Sequence, residues 1–428
     1  MTTHSRTGLV MAGCLAVMIS IGCAHNQVHQ TSSAIPENAK ADGLVVSGKF
    51  RAVVIKDMDD DGNLDVVGGA LSPGMVTISY GDGKGAISEA QILPVHGEVC
   101  SVAVADFNED GLNDIAFSVE KETAGIRMWI NQSNRQWKQA NGPVKTNQYE
   151  NLTAADVNGD GHMDLIGANS TEDSNAGVQV WLGNGKGGWI TESGPTTTGR
   201  YMDAAVADLN KDGRPDLIAA GWGQYGAVRV WLGDGMGKWS STSPLNKGSY
   251  YGISVGDMNG DGNLDIIAAA YRAGIHLFLG NGRGDFEKAK GPMTGADSLW
   301  KVLAVDLDSD NVEDLIASSL DSMGILAFRN VNHSGWQPFQ DIFPHTGIHY
   351  GMALGDLNAD GEPDICAASY GEGIQIWAGN AGAALKARQM EIEQLPEQDR
   401  LAEVFLKKKK LWFVRMEKFP LDLWRIYR

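Results

Sequence analysis

DVNGDGHMD, residues 156–164, places three aspartates, an asparagine and two glycines within nine residues. Held close with nothing between them, these carboxylates would repel one another. The same frame recurs as DMDDDGNLD (57–65), DFNEDGLND (106–114), DLNKDGRPD (208–216), DMNGDGNLD (257–265), DLDSDNVED (306–314) and DLNADGEPD (356–364). The first aspartates of the seven copies stand 49, 50, 52, 49, 49 and 50 residues apart. A fixed period of this length marks a repeat architecture.

Comparison of the seven copies separates the positions by chemistry. Positions 1, 5 and 9 are always Asp, position 3 is Asp or Asn, and position 6 is Gly except for Asn311. Gly and Asn are the residues that best tolerate positive φ. Position 2 is always apolar, as for a side chain turned into a sheet. Position 7 holds Asn63, Leu112, His162, Arg214, Asn263, Val312 and Glu362, which share no side-chain chemistry, so a ligand from there must be the backbone carbonyl.

Hard oxygens converging from positions 1, 3, 5, 7 and 9 around a glycine turn describe a calcium loop. Softer metals would call for His or Cys at the ligand positions. The expected ligands are Asp57, Asp59, Asp61, Asn63 and Asp65 in the first copy, and Asp106, Asn108, Asp110, Leu112 and Asp114 in the second. Asp156, Asn158, Asp160, His162 and Asp164 follow, then Asp208, Asn210, Asp212, Arg214 and Asp216. Asp257, Asn259, Asp261, Asn263 and Asp265 form the fifth set, and Asp306, Asp308, Asp310, Val312 and Asp314 the sixth. Asp356, Asn358, Asp360, Glu362 and Asp364 complete it. Up to seven structural Ca²⁺ are expected, each neutralising charge that otherwise opposes folding. The sixth copy, with Asn311 in place of glycine, has the weakest turn. The bland alternative is that Asp-Gly and Asn-Gly only make turns.

Short β-branched and aromatic runs flank every loop, such as SVAVA before and LIGAN after, and a third run follows as GVQVWLGNG or AVRVWLGDG. Each repeat therefore reads as three or four antiparallel strands. Residues 43–380 divide into seven such units, and the expected fold is all-β: a seven-bladed β-propeller with one calcium loop per blade. Ring closure would remove exposed sheet edges; an open solenoid would need polar caps that the sequence does not display. The last repeat stops one strand short after GIQIWAGN, and GLVVSG (43–48) is available to supply the missing strand.

These residues resemble the FG-GAP/VCBS repeats of bacterial surface proteins and integrin α-subunit propellers. The resemblance rests on D-x-[DN]-x-D-G-x-x-D followed by V-x-V-W-L-G-N-G across residues 43–380. No literal Phe-Gly…Gly-Ala-Pro string is present, and LGNGRGDF (279–286) is closer to the VCBS form. The resemblance implies a surface-exposed binding role; some enzymes on related propellers act on polysaccharides.

Strand direction puts the start of each inner strand on the face opposite the acidic loops, and aromatic residues gather at those starts. Phe50, Tyr149, Tyr201, Tyr250, Tyr251, Trp300, His349 and Tyr350 lie six or seven residues before a first aspartate, and the return turns add Trp222, Tyr225, Tyr271 and Tyr370. Two readings stand: platforms around the propeller mouth for a carbohydrate or a surface protein, or wedges between blades. GNGKG (183–187) and Arg283-Gly284-Asp285 read as hairpin turns, with no helix behind the former to hold a phosphate.

The net charge of −18 excludes a general nucleic-acid binder. Positions 1, 3, 5 and 9 of the loops hold 23 of the 53 acidic residues, so the acidity is concentrated there. Residues 1–23 resemble a lipoprotein signal peptide ending in Ser20-Ile21-Gly22-Cys23, which would make Cys23 the lipidated anchor of an exported protein at the bacterial outer membrane or cell surface. Ser20 departs from the usual leucine, leaving an ordinary signal peptide or an uncleaved anchor open. Residues 24–42 then form a flexible linker, and the basic tail 381–428 reads as helical or disordered. Cys100 and Cys366 read as small buried residues rather than a disulfide or thiolate site. No nucleophile elbow, HExxH or triad-like set is present. The expected role is a monomeric, membrane-tethered binding module, with a polysaccharide lyase or hydrolase using His345 and His349 as the alternative.

Overall fold

The computed structural model describes residues 43–379 apart from 122–123, 145, 172–176, 224–225, 243–244, 293–297, 322, 334, 340–342 and 344–345. Cys23, Tyr225, His345, the signal-like segment, the linker and the tail lie outside the described residues.

Every named element is a strand, and the strands form seven separate antiparallel sheets. Each sheet is one blade, and its innermost strand runs into an acidic loop. The innermost strands are Lys49–Lys56, Glu98–Ala105, Tyr149–Ala155, Arg200–Ala207, Tyr250–Gly256, Leu299–Val305 and His349–Gly355, which define blades 1 to 7. The second strand of each blade begins at the position-9 aspartate, and the third and fourth continue outward. In blade 4 the outer position is shared by Trp239–Ser241 and Leu245–Lys247, both paired with Ala227–Gly233.

Alternation explains the packing. Blades stack face to face, so both faces of the second strand are covered and runs such as Leu165–Ala168 and Ile266–Ala269 are fully buried. Seven apolar clusters result, each shared by two consecutive blades. One of them joins blade 7 to blade 1 through Phe50, Val53, Val66, Ile374 and Ile376. The ring is therefore closed, which excludes the open solenoid. Gly43–Val46 completes blade 7 as its outer strand, pairing Gly43 with Ile376 and Val46 with Ile374. The first strand among the described residues is thus hydrogen-bonded to the last.

One irregularity recurs in all seven blades and fixes what faces the central channel. The pairing of the first two strands slips by a residue just after Phe50, Val99, Tyr149, Tyr201, Tyr250, Leu299 and His349. A bulge of this kind re-aims the next side chain. Residues seven before the first aspartate go into the blade interface, whereas those six before it (Arg51, Cys100, Glu150, Met202, Tyr251, Trp300 and Tyr350) form a separate set.

Candidate functional site

The acidic loops share one hydrogen-bond pattern. The position-1 carboxylate accepts the N–H of position 6, at 2.8 Å from Gly161 to Asp156 and 2.8 Å from Asn311 to Asp306. The position-5 carboxylate accepts the N–H of position 7, at 2.8 Å for His162 on Asp160 and 3.0 Å for Val312 on Asp310. Position 6 has positive φ in every copy, from 64° at Asn311 to 89° at Gly111. At Gly62, Gly161 and Gly262 a Cβ would meet nothing within 4 Å, so backbone conformation rather than space selects glycine there. Position 4 is also left-handed in every copy, although it holds Asp60, Glu109, Lys211, Ser309 and Ala359 besides two glycines.

Position 9 plays a part that the sequence reading did not assign. Asp65, Asp114, Asp164, Asp216, Asp265, Asp314 and Asp364 are buried, and each brackets two backbone donors. In blade 3, Asp164 Oδ2 accepts Val157 N–H at 2.9 Å and Oδ1 accepts Gly183 N–H at 2.8 Å. The pair ties the loop to the end of the third strand, and every other blade repeats it. Burial pushes these carboxyls up, to about 7 at Asp65, Asp114 and Asp314 and to about 6 at Asp164 and Asp265. The two N–H donors oppose that rise, and neighbouring aspartates of the loop add to it.

The donor chemistry fits a hard divalent cation. One oxygen from each of Asp57, Asp59 and Asp61 lies within 4.8 Å of the others, and so does one from each of Asp306, Asp308 and Asp314. Two position-7 side chains reach the neighbouring loop: His162 pairs with Glu109, and Glu362 accepts Ser309 Oγ at 2.7 Å. In those two copies, as in the copies with Leu112 and Val312, position 7 can offer the loop only its backbone carbonyl.

On the opposite face the structure divides the aromatic residues. Phe50, Tyr149, Tyr201, Tyr250 and His349 are at most 5 % exposed and wedge between blades, so the expectation of surface platforms is corrected at those five positions. Four of them meet a third-strand aromatic ring, as in Tyr149 on Trp181 at 5.2 Å and Tyr201 on Trp231 at 5.9 Å. The one-residue slip accounts for the split, because it sends position −7 inward and leaves position −6 for the mouth.

The remaining aromatics touch one another across four blades. Trp222 lies 4.4 Å from Tyr251 and 5.0 Å from Tyr271, and Tyr251 lies 4.8 Å from Trp300. Trp300 meets Tyr350 at 5.2 Å, and Tyr350 meets Tyr370 at 6.1 Å. The arc runs from Trp222 in blade 4 to Tyr370 in blade 7, and two of its members, Tyr271 and Tyr370, are 38 % and 40 % exposed. Burial among the rings pushes the Tyr251 hydroxyl up to about 12, keeping it a hydrogen-bond donor at neutral pH.

Arg51 closes the arc from the blade 1 side. Its guanidinium lies 4.9 Å from the Trp300 ring and 5.7 Å from the Tyr350 ring, pairs with Glu150, and stands 3.5 Å from Glu120. Burial opposes its charge, but Glu150, Cys100 and Glu120 more than offset that and raise its pKa. Sequence reading missed Arg51, Glu120 and Glu150. Arg51 and Glu150 occupy the same repeat position as Tyr251, Trp300 and Tyr350, and that shared offset was the available signal.

Comparison with known proteins agrees with the repeat reading and the fold. The FG-GAP-like repeat matches residues 57–117, 106–167, 156–219, 208–268 and 257–317, together more than half of the chain. The chain belongs to the FG-GAP-like repeat family. Repeats of this family are typically associated with calcium, and its propellers serve in general as binding and protein-interaction modules. No curated protein matches the chain in sequence. Among solved structures, BBS1N in complex with ARL6DN, soaked with mercury, is similar at 12 % identity and TM-score 0.52 over 78 % of this chain and 93 % of that one. The lead-soaked crystal gives 11 % and 0.53 over the same shares. At such identities the likeness is one of fold.

Proposed function

We propose that this FG-GAP-like propeller is a calcium-stabilised, monomeric module that captures a partner protein on the face opposite its acidic loops. The observation that carries the reading is the unbroken aromatic arc from Trp222 to Tyr370, backed by Arg51. Trp, Tyr and Arg are enriched among the few residues that dominate binding at protein interfaces. The internal rings of the arc cover one another's faces, at 4.4 Å and 4.8 Å, and so present edges, hydroxyls and N–H groups. BBS1N, of similar fold, is itself seen in complex with a protein. Up to seven Ca²⁺ in the loops would neutralise their crowded carboxylates and stiffen the far face. Tethering through Cys23 at a bacterial cell surface belongs to the same proposal.

Carbohydrate is the second reading, and a specific observation favours it. Tyr271 and Tyr370 are the most exposed rings of the arc, with Arg272 and Lys49 lying over them at 5.2 Å and 4.9 Å. The catalytic alternative draws no support from His349, which is fully buried and out of reach of a substrate.

The test is a binding screen of the full chain against surface proteins and a glycan panel, repeated with Trp222→Ser/Tyr271→Ser/Tyr370→Ser. The expected result is loss of protein capture with an unchanged melting temperature. Capture retained by the triple variant overturns the placement of the site, and binding to glycans alone selects the second reading.

A further inference from the structure

Position 3 of the acidic loop is Asn in five blades and Asp in two, and the exchange has a consequence in three dimensions. Where it is Asn, the side-chain amide closes the loop on itself. Asn158 Nδ2 donates to Asp160 Oδ2 at 2.9 Å, and Asn259 Nδ2 donates to Asp261 Oδ2 at 3.0 Å. The loops of blades 2, 4 and 7 do the same at 3.0, 3.2 and 3.0 Å. An aspartate in that place has no donor and turns a second carboxylate oxygen against position 5.

In both blades that carry Asp an arginine pairs with the position-3 carboxylate, and in blade 6 it also reaches position 5. In blade 6, Arg329 Nη2 donates to Asp310 Oδ2 at 3.0 Å, while its Nε lies 2.7 Å from Asp308 Oδ2. Arg329 occupies the residue just before the third-strand N–H that position 9 holds. The corresponding residues are Ile130, Leu182, Leu232, Leu279 and Ala378 in the five Asn blades. In blade 1 that residue is Tyr80, and Arg135 from blade 2 lies 3.8 Å from its ring. Arg135 Nε donates to Asp59 Oδ2 at 2.8 Å.

What the arginines leave alone points to the ligand. Asp59 Oδ1 and Asp308 Oδ1 are buried and without a hydrogen-bond partner among the described residues. The Asp308 residue is 3 % exposed and the Asp59 side chain 9 %. These are also the two loops, among the described residues, in which three carboxylates bring oxygens within 4.8 Å of one another.

We propose that Arg135 and Arg329 are positioning residues for cations bound by the loops of blades 1 and 6. Each holds the outer oxygen of the position-3 aspartate and so keeps its other oxygen directed at the metal. The proposal rests on the calcium reading above and adds an unequal set of sites to it. Blades 1 and 6 offer a full carboxylate where the other five offer an amide, without adding net charge, because the arginine offsets it. Outer groups that orient ligands in this way commonly govern metal affinity.

The experiment uses the full chain, stripped with EGTA, and counts bound Ca²⁺ by equilibrium dialysis. At the lowest free Ca²⁺ that saturates the wild type, Arg329→Leu should hold one ion fewer and Arg135→Leu/Arg329→Leu two fewer. About ten-fold more Ca²⁺ should restore them, the usual scale for loss of an orienting group. Adding Asp308→Asn to Arg329→Leu recreates the Asn and Leu pairing of blades 3, 4 and 5, and should restore the ion at the original concentration. Unchanged or tighter binding in Arg329→Leu overturns the proposal, since it would mean that the guanidinium competes with the metal. Failure of Asp308→Asn to rescue also overturns it. A wild type that takes up no Ca²⁺ at all refutes the calcium reading itself, and this inference falls with it.

Discussion

Lys301 Nζ lies 2.6 Å from Asp203 Oδ2 and so ties blade 6 to blade 4 past the blade between them. The same oxygen accepts the N–H of Ile253 in blade 5 at 2.9 Å, so a single carboxylate serves three consecutive blades. Asp203 is 3 % exposed and depends on Lys301 for its countercharge. Removing one partner of a buried pair leaves the other charge uncompensated, whereas removing both costs far less. Lys301→Met should therefore destabilise the propeller by about 3 kcal/mol, and Asp203→Asn/Lys301→Met should recover most of that loss. Guanidinium unfolding of the three proteins checks it. A double variant no more stable than Lys301→Met would show that the pair is not the unit that matters.

Ring closure through Gly43–Val46 gives a second prediction. That strand covers the outer edge of Gly373–Trp377 and packs Val45 and Val46 against the cluster joining blades 7 and 1. A chain beginning at Lys49 should expose the Gly373–Trp377 edge, a template for pairing with another chain. Lower melting temperature and concentration-dependent association are the expected outcomes, read by calorimetry and size-exclusion chromatography. A truncated chain that melts like the full one and stays monomeric would make the latch dispensable.

The blade count and loop frame were legible because aspartate and glycine at fixed offsets leave little freedom in what they can do. The face opposite the loops was only partly legible. Tyr250 and Tyr251 are adjacent in sequence and chemically identical, yet the first is fully buried and the second stands in the arc. Period-2 alternation gives no reason for a slip at that point; it becomes visible only in the pairing of Tyr250 with Ala270 and Gly252 with Ala269. The left-handed backbone at position 4 was hidden for a different reason, since Lys211 and Glu109 adopt it without the glycine that would announce it. Arg329 escaped notice because its partner, Asp308, is brought to it by the loop rather than by sequence spacing.

The two kinds of loop carboxylate should separate by their response to chelation. Asp164 is buried and satisfies the N–H groups of Val157 and Gly183. Asp164→Ala leaves both donors unpaired, at about 1–3 kcal/mol each, and should lower stability in EGTA as well as in Ca²⁺. Asp160 is exposed, and water can replace it at His162 N–H. Asp160→Ala should cost stability in Ca²⁺ and almost none in EGTA. The wild type should lose thermal stability in EGTA and regain it with Ca²⁺ but not Mg²⁺, whose octahedral demand and tightly held waters suit these loops poorly. Melting curves in the three buffers decide the matter; a wild type indifferent to EGTA would remove calcium from the account.

His349 makes acid a specific weakness of blade 7. It fills the slot that Phe50, Tyr149, Tyr201 and Tyr250 fill elsewhere, with its ring 6.3 Å from Trp377. Burial lowers its pKa below the ordinary 6.5, and Glu372 opposes that shift only in part. The unfolded chain therefore takes up the proton first as pH falls, so this residue costs stability progressively below about pH 6.5. Above that pH the imidazole is neutral in both states and contributes no slope. His349→Phe, which copies blade 1, should melt progressively higher than the wild type as pH drops from 6.5 to about 5, with a constant difference above 7. Comparing the two proteins at each pH cancels the opposite trend from the buried loop aspartates, whose raised pKa values favour the folded state in acid. A difference that stays flat across the range would mean that His349 keeps its ordinary proton affinity in the folded protein.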